Sequence, residues 1–321
     1  MPKNIKFFLL GVGLSLVFCW GVNALNKYAE DVFYGLAMKK YPAVTAYLAP
    51  SKPEINQADS IRKIASELTA SSIIVAEISK KEQDRPWIIF EKNSQTRRPI
   101  ASLVKLMTAV VVEEFYPSDT KVKVSERAVQ QMEVSGFLKP GAVLRKNDLL
   151  FIMLIESSND AAFALAEALG LKPFVDLMNI KARAMGLSRT YFSNPMGLDP
   201  EDVSSDIFGT EPGLSSARDL LKLIEYIIRE HPFLLDILNK KRHELYLEDG
   251  APHHILENTN ELLGIVPQVV AGKTGYTEKA GGCLLTISRA RFEKQNYLIT
   301  IVLESEDKFE ETEKILKAYY K

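Results

Sequence analysis

The chain has 321 residues, 46% hydrophobic and 25% charged, with a formal net charge of −1. That length and apolar content support one large domain or two small ones and exclude an intrinsically disordered chain. The balanced charge offers no basic surface for nucleic acid, and two cysteines, Cys19 and Cys283, cannot build a disulfide framework.

Lys3 and Lys6 precede an apolar run from Phe7 to Leu25. Its length is near that of a bilayer-spanning helix, and the lysines favour a cytoplasmic N-terminus with the body of the chain exported. Val22-Asn23-Ala24 has the small-x-small form of a cleavage site, so the run reads as a membrane anchor or a signal peptide. Cys19 follows the bulky Phe18, which does not suit a lipidation site. We assign 1–26 to this segment, 27–65 to a juxtamembrane linker containing the turn signals Pro50-Ser51-Lys52-Pro53, and 66–321 to the main domain.

Within that domain Ser72–Ile78 and Trp87–Phe90 are strand-like and joined by a polar loop, which predicts a hairpin. A buried helix is expected from about Ala101 to Phe115, and a short strand at Lys121–Val124. Leu138–Gly141 is a turn. Asn147-Asp148 is expected to cap an apolar helix over Leu149–Ile155, and a further helix spans Asp160–Leu169, stopped by Gly170. A loop-rich stretch follows from Met185 to Asp199. Ser215–Asp219 starts a helix reaching about Glu230. Val269–Gly275, Cys283–Ile287 and Tyr297–Leu303 read as adjacent antiparallel strands, and Phe309–Tyr320 as a closing helix. Strands at both ends with helices between imply one sheet made from the two chain ends and covered by helices.

The chemistry centres on Ser102 and Lys105. Residues i and i+3 share a helix face, so both side chains can enter one cleft. The spacing S-x-x-K occurs four times, at Ser60/Lys63, Ser102/Lys105, Ser118/Lys121 and Ser305/Lys308. Alone it marks a surface turn or helix face more often than a site. Only Ser102/Lys105 opens an apolar run, and only it is followed in order by the single S-x-N, Ser157-Ser158-Asn159, and the single K-T-G, Lys273-Thr274-Gly275. A serine hydroxyl is a poor nucleophile until a base takes its proton. No histidine is well placed, and no G-x-S-x-G elbow is present. Lys105 is the available base, provided burial and a second cation, Lys273, keep it neutral. Ser157 can pass a proton toward a leaving amine, and Asn159 can hold a substrate amide. The Ser157–Asp160 stretch is equally a helix cap. Lys273, Thr274 and Gly275 lie on a strand beside which a peptide can be added, with charge, a hydroxyl and a clear approach in turn. The backbone N–H groups of Ser102 and Tyr276 are the candidate oxyanion hole.

At these residues the chain resembles the serine D-alanyl-D-alanine carboxypeptidases, the low-molecular-weight penicillin-binding proteins. The resemblance runs from about Ser71 to the C-terminus, through Arg98–Thr108, Ser157–Ala162, Asn194-Pro195-Met196-Gly197-Leu198-Asp199, Lys273–Thr277 and Ala280-Gly281-Gly282. It implies an α/β (α+β) fold of the serine β-lactamase/DD-transpeptidase kind. It also implies an acyl-enzyme on Ser102, removal of terminal D-alanine from peptidoglycan stem peptides, and acylation of the same serine by β-lactams. No cofactor or metal is implied, and the N-terminal segment places the catalytic domain outside the membrane.

Three features depart from the family pattern. Met196 stands where histidine is frequent. The arginine that helps bind the substrate carboxylate gives way to the acidic Glu304-Ser305-Glu306-Asp307, with Lys308 as the nearby cation. The chain also ends soon after the catalytic domain, without an added β-domain or amphipathic anchor, which favours an uncleaved N-terminal anchor. The nearest alternative is a peptidoglycan DD-endopeptidase. A class A-like β-lactamase is weaker, resting on Glu211-Pro212-Gly213-Leu214-Ser215. A non-catalytic wall-binding module and a zinc peptidase are weaker still, since His253-His254 and His243-Glu244 lack a metal-binding context.

Overall fold

The computed structural model describes residues 54–79, 85–132, 135–292 and 295–321. The apolar run at 7–25 and the expected membrane helix lie outside them. Among the described residues no helix is long and apolar enough to cross a membrane.

Among the described residues there are nine strands: β1 (Ser72–Ile78), β2 (Trp87–Lys92), β3 (Lys121–Lys123), β4 (Val143–Arg145), β5 (Arg242–Tyr246), β6 (Pro252–Glu257), β7 (Val269–Thr277), β8 (Gly281–Arg289) and β9 (Tyr297–Ser305). Five of them form one antiparallel sheet in the order β2-β1-β9-β8-β7, so strands from both ends of the domain meet in its middle. The β3–β4 and β5–β6 pairs stand apart as two-stranded sheets. The helices used below are α1 (Glu54–Ile64), α2 (Lys105–Phe115), α3 (Lys146–Ile155), α4 (Asn159–Leu169), α5 (Leu171–Ala184), α6 (Ala217–Glu230), α7 (Pro232–Leu238) and α8 (Lys308–Tyr320).

The sheet is covered on both faces, and β1 shows this residue by residue. Ile74, Ala76 and Ile78 enter the large core shared with α2, α3, α4 and α6, whereas Ile73 and Val75 enter the smaller core beneath α1 and α8. A strand covered on both sides is apolar almost throughout, which is why Ile73–Ala76 reads as a continuous run, and the buried Glu77 beyond it accepts from Tyr319 OH at 2.6 Å. The two chain ends are locked by one buried carboxylate. Glu311 of α8 accepts from the backbone N–H groups of Thr69 (3.1 Å) and Ala70 (3.0 Å), from Ser305 Oγ (2.8 Å) and from Thr69 Oγ1.

Several boundaries differ from the expectations. The segment read as linker to residue 65 includes α1, and the compact unit begins at Ile55. The sequence of α1 carries little periodic signal, and its main anchor is Ile61, fully buried under the sheet. The expected helix at 101 begins as a 3-10 turn, Ala101–Val104, and becomes α-helical only at Lys105. Asp148 does not cap α3 from outside. It sits inside the first turn and accepts the Arg145 backbone N–H at 3.3 Å, with the Arg145 guanidinium gripping its other oxygen at 2.8 Å. The helices α5 and α7 and the β5–β6 hairpin were not read from the sequence. α7, β5 and β6 are short segments decided by packing, whereas α5 buries Leu171, Phe174, Met178 and Ala182 at helical spacing beyond the breaker Gly170.

Replacing Glu311 by Ala leaves two backbone amides and a serine hydroxyl buried without an acceptor. It should lower the unfolding free energy in urea by about 3 kcal/mol, with Glu311→Gln losing less.

Candidate active site

The Ser102 turn is squeezed between two glycines. Ala101 has φ 46°, unusual for a residue with a side chain. A Cβ on Gly197 would lie 2.0 Å from the Ala101 carbonyl oxygen, and one on Gly275 would lie 3.0 Å from the Ser102 amide nitrogen. Only residues without a side chain allow these backbones so close. The K-T-G strand β7, at the sheet edge, is thereby pressed against the amide of the nucleophile candidate.

Lys105 is the first residue of α2 and has no exposed surface. Its Nζ lies 2.7 Å from each of Ser102 Oγ, Asn159 Oδ1 and the Met196 carbonyl oxygen. The last two groups can only accept, so two N–H bonds of Lys105 are committed to them. The remaining direction points at the Ser102 hydroxyl. In the neutral amine that direction is the lone pair, so the geometry aims a base at the serine proton.

The second motif sits on the turn between α3 and α4. Ser158 caps α4, accepting the Ala161 N–H at 3.2 Å, as its sequence indicated. Ser157 is held at φ 64° and accepts from Lys273 Nζ at 2.8 Å. Asn159 also donates to the Met132 carbonyl at 2.8 Å, which leaves its second amide N–H for a substrate. Lys273 is 1% exposed, and burial, reinforced by the charge of Lys308, pushes it down to about 7. Thr274 shares a hydrogen bond of 2.6 Å with Thr259 Oγ1, and Tyr276 is exposed beside the cleft. Of the residues expected from the sequence, Ser102, Lys105 and Asn159 are in direct contact, Ser157 bonds Lys273, Gly275 meets the Ser102 amide, and Thr274 and Tyr276 flank them on β7. The other S-x-x-K pairs do not share this arrangement. Ser305 bonds Glu311, and Ser118 lies in an exposed turn.

Sequence reasoning gave no physical role to the Asn194–Asp199 loop, yet this loop shapes the site. Asn194 Oδ1 accepts from the backbone N–H groups of Met196 (3.1 Å) and Gly197 (2.7 Å). Pro195 O accepts Thr108 Oγ1 at 2.7 Å, and Asp199 accepts Thr277 Oγ1 at 3.0 Å. Met196 contributes its carbonyl to Lys105 while its side chain is buried in the core, so histidine is not required there. The Asn-Pro-x-Gly-x-Asp spacing was the available signal. At the other wall, Lys308 Nζ lies 5.8 Å from the Tyr276 ring centroid. Glu304 pairs with Arg98, and Asp307 caps α8 through the Phe309 and Glu310 amides. Cys283 pairs with Gly275 across the sheet, and burial pushes its thiol up to about 12, leaving it unreactive.

Residues 59–307 match the model of the Peptidase S11 family, described as D-alanyl-D-alanine carboxypeptidase. The chain is 33% identical over 210 residues to the D-alanyl-D-alanine carboxypeptidase DacF of Bacillus subtilis, covering 63% of this chain and 51% of that protein. It thus spans about half the length of that relative. It is 30% identical over 225 residues to a D-alanyl-D-alanine endopeptidase of Escherichia coli, covering 68% of this chain and 67% of the relative. Among solved structures it resembles penicillin-binding protein D2 of Listeria monocytogenes in its cefotaxime-bound form. That likeness has a TM-score of 0.64 at 30% identity, over 79% of this chain and 98% of the other. A D-alanyl-D-alanine carboxypeptidase from Mycobacterium tuberculosis shares the fold, with a TM-score of 0.66 at 23% identity, over 78% and 90% of the two chains.

Gly275→Ala should push the Ser102 amide away and slow acylation about 100-fold while melting little below the wild type. Lys273→Met tests the buried amine by stability. The unfolded chain keeps this lysine protonated up to the ordinary lysine range, whereas the folded chain releases the proton near pH 7. Wild-type stability from this group therefore rises with pH across that window. The methionine variant should be more stable than the wild type at pH 6, by about 2 kcal/mol, and lose that advantage toward pH 10 in parallel thermal melts.

Proposed function

The chain belongs to the D-alanyl-D-alanine carboxypeptidase family, and on that premise we propose that it removes the terminal D-alanine from peptidoglycan stem pentapeptides through an acyl-enzyme on Ser102. The observation that carries the reading is the buried Lys105 Nζ, 2.7 Å from Ser102 Oγ with its other bonds committed to acceptors. Ser102 Oγ attacks the carbonyl of the penultimate residue, and its proton passes to Lys105. The oxyanion forms against the N–H groups of Ser102 and Tyr276. The C–N bond then breaks, and the leaving amine takes a proton delivered through Ser157, which Lys273 holds. Neutral again once its proton has passed through Ser157 to the amine, Lys105 activates a water, which hydrolyses the ester and releases the shortened peptide. Asn159 and the β7 edge hold the substrate backbone. A β-lactam presents the same carbonyl to Ser102, with no departing amine to open the way for water.

Lys308 supplies the carboxylate recognition despite the acidic 304–307 stretch. Arg98 neutralises Glu304, the α8 amides use Asp307, and among the described residues Lys308 forms no ion pair. Its ammonium lies 5.8 Å from the centroid of the Tyr276 ring, two residues along β7 from Thr274. The endopeptidase name of the Escherichia coli relative keeps cleavage of cross-links as the second reading. A β-lactamase is disfavoured because Glu211 is exposed while Leu214 and Ser215 form backbone bridges to Tyr191 and Arg98. We place the catalytic domain on the extracytoplasmic side, held to the membrane by residues 1–26, on the strength of Lys3 and Lys6 preceding the Phe7–Leu25 run.

Ser102→Ala should abolish both fluorescent-penicillin labelling and D-alanine release from a pentapeptide. Label retained on that variant overturns the acyl-enzyme. Lys308→Ala should raise KM for the pentapeptide about tenfold and erase the preference for the free acid over its C-terminal amide. A wild type that cleaves a cross-linked dimer faster than the pentapeptide, and accepts the amide equally, is an endopeptidase.

A further inference from the structure

Behind Ser157 lies a chain of titratable side chains that the proposed reaction does not use. Glu156, the residue before Ser157, closes the C-terminal end of α3. Its carboxylate lies 3.0 Å from His254 Nε2, and His254 Nδ1 lies 2.5 Å from His253 Nδ1. Both histidines are carried on β6. Phe137 packs edge-on against the His254 ring, with centroids 5.0 Å apart. The His254 and Glu156 side chains are only 12% and 15% exposed. Ser157 itself is held at φ 64°, a conformation that persists only when its neighbours enforce it. From the β6 side that enforcement comes through His254 on Glu156 and through the Thr259 amide on the Ile155 carbonyl at 3.2 Å.

We propose that His254 is a positioning residue that holds the Ser157 turn through Glu156, and that its pairing with His253 makes the hold depend on a single proton. The inference rests on Ser157 taking part in the proposed reaction. A carboxylate only accepts, so His254 Nε2 carries a hydrogen. Two ring nitrogens 2.5 Å apart have room for one hydrogen between them. The pair is therefore intact when it is neutral or holds one extra proton. A second extra proton sets two N–H groups and two positive rings face to face, and the contact must break. The groups facing the pair are Glu156 and Asp148 on α3 and Lys139 on the turn before β4. Burial, then the charge of His254, pushes His253 below the ordinary imidazole range, with Lys139 acting the same way and Asp148 against them. The contact is thus intact at neutral pH and broken on acidification, which removes the brace that His253 gives His254 behind Glu156.

The test uses the full chain and two readouts. Nitrogen-15 NMR of the rings follows protonation without turnover: His253 should titrate below the ordinary range in the wild type and rise in His254→Gln. Stopped-flow acylation by a fluorescent penicillin follows the consequence. At pH 7.5, His254→Ala and Glu156→Ala should lower the acylation rate constant about tenfold with the preceding binding constant unchanged. His254→Gln, which offers an N–H donor at the same reach, should recover most of the loss and show an acid limb shallower by one proton. Rings that titrate independently near the ordinary value overturn the shared proton. A His254→Ala rate constant equal to that of the wild type overturns the positioning role, whatever happens to the melting temperature. If the wild type takes no penicillin at all, the acyl-enzyme reading fails instead, and the ring titration still decides whether the pair shares its proton.

Discussion

One buried nitrogen organises this protein. Lys105 begins a helix that is buried on every side as far as Val112, so its side chain has no route to water. An amine in such a place is tolerable only if its hydrogens find acceptors. Those acceptors come from Asn159 and Met196, with Ser102 on the third side. Satisfying one nitrogen therefore forces three segments, distant in sequence, to converge on one point. The same lack of water that makes the arrangement obligatory also favours the uncharged amine, which is the form able to take a proton from serine.

Backbone contacts set the precision of that convergence. The Ala101 turn is clamped between Gly197 and Gly275, and the Ser157 turn is held in a left-handed conformation. Each conformation costs on the order of 1–3 kcal/mol, recovered from the packing around it. The loop that presents Gly197 is itself wound around the side-chain oxygen of Asn194. Strain, glycine and a side chain that mimics backbone thus act together to fix a hydroxyl, an amide N–H and a strand edge within bonding reach of one another.

The charges follow from the same economy of space. Lys273 is enclosed, and burial together with the charge of Lys308 disfavours its protonated form until something anionic enters the cleft. The acidic residues nearby are already engaged, Glu304 with Arg98 and Asp307 with the first turn of α8. The cleft keeps positive potential in a region whose sequence reads as negative. An unpaired count of charges along the chain cannot show this, because what matters is which carboxylates have partners.

Much of the architecture was legible in the sequence where a period is long or a strand is buried on both faces. The three C-terminal strands, the β1–β2 hairpin, α2 and α4 are of this kind. The short helices α1 and α7 and the β5–β6 hairpin were not, because a few tertiary contacts such as Ile61 under the sheet decide them. The site was legible as residue types in order: a serine and lysine one turn apart, a serine and asparagine on a helix-capping turn, and a lysine, threonine and glycine on a strand. Residue identity settles that chemistry, since each group's donors and acceptors belong to its side chain. Only the tertiary structure decided that the Met196 carbonyl would complete the lysine's bonding, that Lys308 would turn toward Tyr276, and that a histidine pair would stand behind Ser157. Those depend on distances between segments remote along the chain, which side-chain identity and local periodicity do not encode.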